Sequence, residues 1–319
     1  MIPEALILDI QRMSTEDGPG LRTTVFFKGC SLQCAWCHNP ESIAKTPYIQ
    51  WDENKCIGCQ SCCDVCKNGA LISRDDCIKI DSVTCRQCFS CVSACPAGAL
   101  KVRGECYSCE ELLELLLKDR AYFGLDGGIT LSGGEPLLQA EAVYWLLKEL
   151  KSNGLQTALD TAGLVAESFL LNALDYTDLL LYDLKLYDES SHKKYCGSGN
   201  KQILANLLSA VEIFRAAKKK MWIRTPIIPG ATDSTENIRA LALLIADKML
   251  GVVERWELCA FNNLCKSKYY LLGLDWQYKE ADLIKKSKME ELTLLAQEVL
   301  TESGVKVACT GATNDENGN

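Results

Sequence analysis

The sequence predicts an α/β protein, a partial (β/α)6 barrel of the TIM type that carries a small inserted α+β domain. Two observations predict it. From about residue 105 onward strand-like and helical segments alternate, making about six strand–helix units with the first strand included. The 19 cysteines, in contrast, crowd into one stretch: fifteen lie between Cys30 and Cys109, and only Cys196, Cys259, Cys265 and Cys309 follow.

The elements justify that prediction in turn. The opening MIPEALILDIQ is broken by Glu4 and Asp9, and no small-residue cleavage site follows, so it does not read as a secretion signal. RTTVFF (22–27) is the first strand. Residues 51–104 break the rhythm: they are cysteine-dense and lack long apolar helices, so they read as the insert, with 1–50 and 105–319 as the barrel. CEELLELLLKDR (109–120) has leucines at helical spacing, and GGITLSGG (127–134) is a strand ending in glycines. The helix EAVYWLLKELKSNG closes at Asn153-Gly154, a stop signal. Strands are expected at QTALD, DLLLYDLK (178–185), MWIRTPIIPG and VERWELCAF. Helices are expected around 166–174 and at ILANLLSAVEIFRAAKK, ENIRALALLIADK and MEELTLLAQEVLTESG. Such alternation argues for a parallel sheet built from right-handed crossovers. A closed barrel needs about eight units, so this one is incomplete. ATNDENGN at the end reads as a frayed polar tail.

Composition narrows the function. A chain of 319 residues that is 48% hydrophobic and 24% charged is ordinary globular material for about two domains. With 34 Lys and Arg against 42 Asp and Glu, the net charge is -8, which gives no electrostatic reason to expect nucleic acid or an anionic membrane. No apolar run reaches the roughly 18 residues of a membrane helix. A cytoplasmic protein is expected, where clustered thiols are more often metal ligands than disulfides.

The insert contains a repeat, CIGCQSCCDVCKNGAL (56–71) and CRQCFSCVSACPAGAL (85–100), each spaced C-x2-C-x2-C-x3-C. This is the bacterial-ferredoxin pattern, in which three sulfurs of one copy meet the fourth of the other. It predicts one [4Fe–4S] cluster on Cys56, Cys59, Cys62 and Cys95, and a second on Cys85, Cys88, Cys91 and Cys66. Pro96 follows the last cysteine of the second copy, whereas Lys67 stands at that place in the first. A pair of zinc sites is the competing reading, since zinc also uses C-x2-C.

A third grouping lies upstream: Cys30-x3-Cys34-x2-Cys37 in GCSLQCAWCHNPE (29–41). Three thiolates on a four-iron cluster leave one iron open to a ligand, the logic that separates catalytic from structural metal sites. Cys63, Cys77, Cys106, Cys109, Cys196, Cys259, Cys265 and Cys309 have no assigned role.

Cys30, Cys34, Trp36 and Cys37 resemble the radical S-adenosylmethionine signature. The flanking EDGPGLRTTVFFKGC (16–30) and HNPE are similar to a narrower group, the glycyl-radical-enzyme activating enzymes. The resemblance continues in order through SGGEP (132–136), LDTAG (159–163), YDLK (182–185) and WIRTPIIPG (222–230), and a two-cluster ferredoxin insert marks one subgroup. It implies that the open iron binds S-adenosylmethionine, which is reductively cleaved to methionine and a 5′-deoxyadenosyl radical. That radical would take a glycine Cα hydrogen from a partner enzyme. The implied catalytic set is Cys30, Cys34, Cys37, Asp183 and Lys185.

Binding roles follow from the same resemblance. Trp36 would lie near the adenine. Gly133 and Gly134 would let the backbone approach the ligand, and Glu135 would accept from the methionyl ammonium. Asp160, Thr161, Asp183 and Lys185 would meet the nucleoside, the sulfonium end or a monovalent cation. Arg224 would face the ligand's carboxylate, and Asn262 stands where some activating enzymes have a histidine near the adenine. Asp17 and Arg22 would meet the partner's glycine loop. The implied electron donor is a ferredoxin or flavodoxin, and a monomer is expected. The competing classes are a radical S-adenosylmethionine enzyme acting on a small molecule or peptide, and a pure electron carrier. DGPGLR with an N-terminal insert disfavours the first; roughly 260 residues outside the insert, about the size of a barrel, disfavour the second.

Overall fold

The computed structural model describes residues 1–74, 77–81 and 83–314. The side chain of Cys77 and residues 315–319 of the expected polar tail lie outside that description.

The main body begins with β1 (Glu4–Ser14) and β2 (Arg22–Phe27). The cysteine-dense segment follows, with β3 (Tyr48–Trp51), α1 (Ser61–Asp64), β4 (Leu71–Arg74), β5 (Cys77–Ile80), α2 (Ser90–Ser93) and β6 (Leu100–Arg103). Then come β7 (Glu105–Ser108), α3 (Cys109–Leu117), β8 (Gly128–Gly133), α4 (Ala140–Ser152), β9 (Gln156–Thr161), α5 (Glu167–Leu174) and β10 (Leu179–Asp183). The chain continues with α6 (Glu189–Cys196), α7 (Lys201–Ala216), β11 (Lys220–Ile227), α8 (Thr235–Lys248), β12 (Val253–Ala260), α9 (Lys266–Leu271), α10 (Lys286–Val299) and β13 (Lys306–Thr310).

One nine-stranded sheet runs β13-β12-β11-β10-β9-β8-β2-β1-β7. From β2 to β13 every pairing is parallel, and β1 is antiparallel to both β2 and β7. The parallel part therefore has seven strands rather than six, because β13 extends the series past the last expected helix. Alternation of side chains divides each strand between two faces. Ile129, Leu131, Leu159, Leu180, Ile223 and Leu258 pack beneath the helices in one continuous core. Ala158, Leu179, Leu181 and Trp222 form a smaller cluster on the inner face.

The sheet is strongly curled. Four strand steps separate β2 from β11, about 19 Å if flat. Yet the Asp17 carboxylate accepts from Thr24 of β2 at 2.7 Å and lies 4.0 Å from the Arg224 guanidinium of β11. The curl brings the C-terminal strand ends around one concave space.

The cysteine-dense segment is closed by the antiparallel β3–β6 pair, with Tyr48 opposite Arg103 and Trp51 opposite Leu100. Its core is separate: Cys62, Leu71, Ile78, Cys91 and Leu100 are buried together. The two copies of the repeat fold alike. Gln60 and Phe89 precede α1 and α2 in left-handed conformations, with φ of 58° and 57°. Ala70 and Ala99 donate their N–H groups to Cys66 Sγ at 3.3 Å and Cys95 Sγ at 3.2 Å. Among the described residues no helix is long and apolar enough to cross a membrane.

Candidate active site

A cavity of about 310 Å³ opens at the C-terminal strand ends. Cys30, Cys34 and Cys37 line one side, and Asp160, Asp183, Lys185 and Arg224 line the other. Trp36, Gly133, Gly134 and Asp17 also border it. Among the described residues no three His, Cys, Asp or Glu side chains converge closely enough to hold a single metal ion.

The cysteine loop is anchored through its glycine neighbours. Gly134 donates to the Phe27 carbonyl (3.0 Å) and Glu135 N–H to the Gly29 carbonyl (2.7 Å). A Cβ on Gly134 would sit 2.2 Å from Gly29 O, and one on Gly133 (φ 121°) would sit 2.3 Å from Phe27 N. These glycines border the cavity, but what crowds them is the protein's own backbone beside Cys30. Burial pushes the Cys30 thiol up to about 11. A hydrogen bond from the Cys196 thiol holds Cys34 below its ordinary value, against the effect of burial.

The opposite wall is a charge network. Arg224 lies 3.4 Å from Asp160, 3.5 Å from Glu257 and 4.0 Å from Asp17. Burial alone would lower its pKa; Asp160 and the neighbouring anions override that and raise it. Asp160 also accepts from Ser132 at 2.7 Å, while its Oδ1 is buried without a partner. Burial pushes the Asp160 carboxyl up to about 6, opposed by Arg224 and reinforced by Asp183. Lys185 is 8% exposed and bonds Asp183 at 2.6 Å. Burial works against its charge, but Asp183 and then Cys34 hold the ammonium above its usual range. Paired in this way, buried charges are tolerable.

Four expectations need correction. Glu135 and Thr161 are not on the cavity wall. The Thr161 hydroxyl donates to both Glu135 oxygens at 2.8 Å, and Ala162 and Leu137 N–H groups complete the carboxylate's shell at 3.1 and 3.2 Å. A carboxylate so filled has little left to accept from an ammonium, and it is fully buried. Asn262 is also off the wall: its side chain accepts from Leu264 N–H, and Phe261 lines the cavity instead. Arg22 is fully buried, donating to Thr130, Gln156 and the Ile129 carbonyl at 2.7, 2.8 and 3.0 Å, so it holds the DGPGLR turn and presents nothing to a partner.

Sequence reasoning missed Ser132, Cys259, Phe261 and Glu257 in or beside this site. Ser132 adjoins the GGEP glycines, and Cys259 sits one residue before the strand end, so both had a positional signal. Glu257 had none, since only its contact with Arg224 distinguishes it.

In the cysteine-dense segment, Cys56, Cys59, Cys62 and Cys95 line one small cavity of about 20 Å³. Cys91, pushed up by burial, feels the nearby Cys85 and Cys66. Cys95 of the second copy thus lies with three cysteines of the first, and Cys66 of the first lies near Cys91 and Cys85 of the second.

Residues 24–242 match the family model of the radical SAM superfamily. The chain belongs to that superfamily. It is 37% identical over 301 residues to a (2S)-3-sulfopropanediol dehydratase activating enzyme of Klebsiella oxytoca, covering 92% of this chain and 94% of that one. It is 34% identical over 295 residues to a pyruvate formate-lyase-activating enzyme of Clostridium pasteurianum, covering 92% and 98%. A solved structure of Streptococcus suis SuiB bound to its precursor peptide SuiA aligns with a TM-score of 0.53 at 13% identity, over 89% of this chain and 47% of that one, a likeness of fold. This radical SAM protein is an activating enzyme: it uses a [4Fe–4S] cluster and S-adenosylmethionine to generate a radical on a partner enzyme.

Proposed function

We propose that Cys30, Cys34 and Cys37 hold the radical-generating [4Fe–4S] cluster, that S-adenosylmethionine occupies the cavity beside it, and that the partner receives a glycyl radical at a glycine Cα. The observation that carries this reading is one cavity bordered both by three soft thiol donors and by a preformed set of paired charges. When bound, the cluster supplies an electron and an open iron for the ligand's amino and carboxylate groups.

The chain's residues suit a zwitterionic nucleoside ligand. Asp160 Oδ1, buried and unpartnered, is an acceptor awaiting a donor. Arg224 presents a guanidinium held in place by three carboxylates. The Lys185–Asp183 pair stands beside Cys34, and a monovalent cation is assigned next to Asp160 and Asp183. Trp36 and Phe261 offer apolar walls for an adenine ring. Asp17 would meet an incoming glycine loop, a reading supported by its position at the cavity, 4.0 Å from Arg224.

The same proposal assigns two further clusters to the cysteine-dense segment, read as a bacterial-ferredoxin-like insert on a partial barrel. The cross-copy grouping of Cys95 with Cys56, Cys59 and Cys62 supports it. These clusters would take electrons from a ferredoxin or flavodoxin, with the enzyme acting as a cytoplasmic monomer. The test is Cys34→Ala in anaerobically reconstituted protein with dithionite as reductant. Formation of 5′-deoxyadenosine should fall to background; retained cleavage would overturn the assignment of the three-cysteine loop.

A further inference from the structure

The loop from Cys30 to Cys37 is gripped from two sides. On one, the C-terminus of α6 accepts from it: Gln33 N–H donates to the Cys196 carbonyl at 2.9 Å and Ala35 N–H to the Tyr195 carbonyl at 2.8 Å. On the other, two aromatic side chains that follow β12 donate to it. Trp276 Nε1–H reaches the Ala35 carbonyl at 2.9 Å, and the Tyr269 hydroxyl reaches the Cys37 carbonyl at 2.9 Å. The two rings stack with centroids 4.9 Å apart and planes within 10°. Tyr269 is 8% and Trp276 2% exposed. Lys268 strengthens the same contact through Asn39 (2.6 Å) and Glu41 (2.8 Å). The next residue, Tyr270, donates to Glu53 at 2.8 Å and so ties α9 to the cysteine-dense segment as well.

These donors are placed where a metal loop is most sensitive. The loop's own turn uses the Cys34 carbonyl, which accepts from Cys37 N–H at 3.0 Å. The carbonyl of Ala35, between two cysteines, takes its donor from Trp276, and that of Cys37 itself accepts from the Tyr269 hydroxyl at 2.9 Å and more weakly from the Cys265 thiol at 3.8 Å. Buried backbone carbonyls need such partners, and groups bonded to a metal's ligands orient those ligands and tune the metal.

We propose that Tyr269 and Trp276 are positioning residues for the radical-generating cluster. They fix the 35–36 peptide group, between Cys34 and Cys37, and the 37–38 peptide group that follows Cys37, and Tyr269 aims the positive end of an O–H dipole at the Cys37 carbonyl. The inference rests on the reading that Cys30, Cys34 and Cys37 hold that cluster. Reduction adds negative charge to a cluster, so a donor dipole beside a ligand favours the reduced state, and hydrogen bonding and surrounding dipoles are among the protein's means of setting such potentials.

Tyr269→Phe removes the hydroxyl and leaves the stack on Trp276. In the full chain with all clusters reconstituted, iron content and melting temperature should match the parent. The midpoint potential of the S-adenosylmethionine-responsive cluster should move to more negative values, and its reduced-state electron paramagnetic resonance spectrum should change shape. Trp276→Phe, which keeps an aromatic ring but no donor, should alter the same spectrum. An unchanged potential and spectrum in iron-loaded Tyr269→Phe would overturn the proposal, and that variant decides alone if Trp276→Phe does not fold. Cys37→Ala tests the underlying reading separately: if it keeps the S-adenosylmethionine-responsive signal, the cluster assignment fails whatever Tyr269 does.

Discussion

Arg224 meets Asp17 from the loop before β2, Asp160 from β9 and Glu257 from β12, so one guanidinium neutralises three parts of the curled sheet. Arg224→Gln leaves Asp160 and Asp17 without their cation, whereas Glu257 keeps Arg255 at 2.7 Å. Truncating one member of a buried charge pair costs roughly 2 kcal/mol or more, so S-adenosylmethionine binding should weaken by about thirtyfold or more, measured by equilibrium binding to the oxidised holoenzyme. Glu135 makes a pH prediction of known sign. Burial pushes its carboxyl up to about 7 from 4.5, even with Thr161, Leu137 and Ala162 bonding to it. Between those values the folded protein holds a proton that the unfolded chain releases, so Glu135 costs stability progressively as pH rises from 4.5 to 7 and no further above it. The expected size is about 3 kcal/mol from the linkage of 1.36 kcal/mol per unit. The melting temperature of the parent relative to Glu135→Gln should therefore fall across that window and level off beyond it. A flat difference would show that Glu135 does not hold that proton.

The strand-to-loop junctions carry the active-site geometry. β8 ends in Gly133, and it and the following Gly134 press against β2 and Gly29 and so locate Cys30. Gly134→Ala should displace the cysteine loop. We expect loss of iron from the radical-generating site, with destabilisation of about 2 kcal/mol or more, read by iron content per chain and thermal melting. Gly154→Ala is the control: its Cβ would meet nothing within 4 Å, so only its φ of 74° is strained, costing about 1 kcal/mol and no iron. Most elements of the sheet were legible because their patterns are local, a strand-like run followed by a helix with a stop signal. β1 and β13 were not read as strands. β1 opens on an unbroken apolar run in which Ala5 and Ile7 are buried and Leu6 and Leu8 half-buried, so no alternation marks it, and β13 is a five-residue edge strand too short to show a pattern. The short helices α6 and α9 were missed for a similar reason: each has too few turns to show a periodic face, and both are held by contacts with the cysteine loop.

The molecule joins two cores of unequal strength. The sheet and its helices share one continuous core, whereas among the described residues the cysteine-dense segment has its own small cluster around Cys62, Leu71, Ile78, Cys91 and Leu100. The clusters proposed for the segment would add the stability that so small a core lacks. Anaerobic iron chelation should expose residues 52–100 to limited proteolysis well before the sheet is cut; simultaneous cleavage would show that the segment stands without its clusters. On the proposed assignment of two clusters to this segment, Cys95→Ala should remove the one shared with Cys56, Cys59 and Cys62 while leaving the one involving Cys66, Cys85 and Cys91, as counted by iron content and spectroscopy. The family was readable in the order of residues, because motif spacing and strand–helix rhythm are short-range properties. The direction in which each motif side chain points was not. Glu135 turns to Thr161, Arg22 closes under its own loop, and Trp276 grips Ala35 from 241 residues away. Such choices follow from how a curled sheet packs distant segments side by side, and no local pattern encodes that packing.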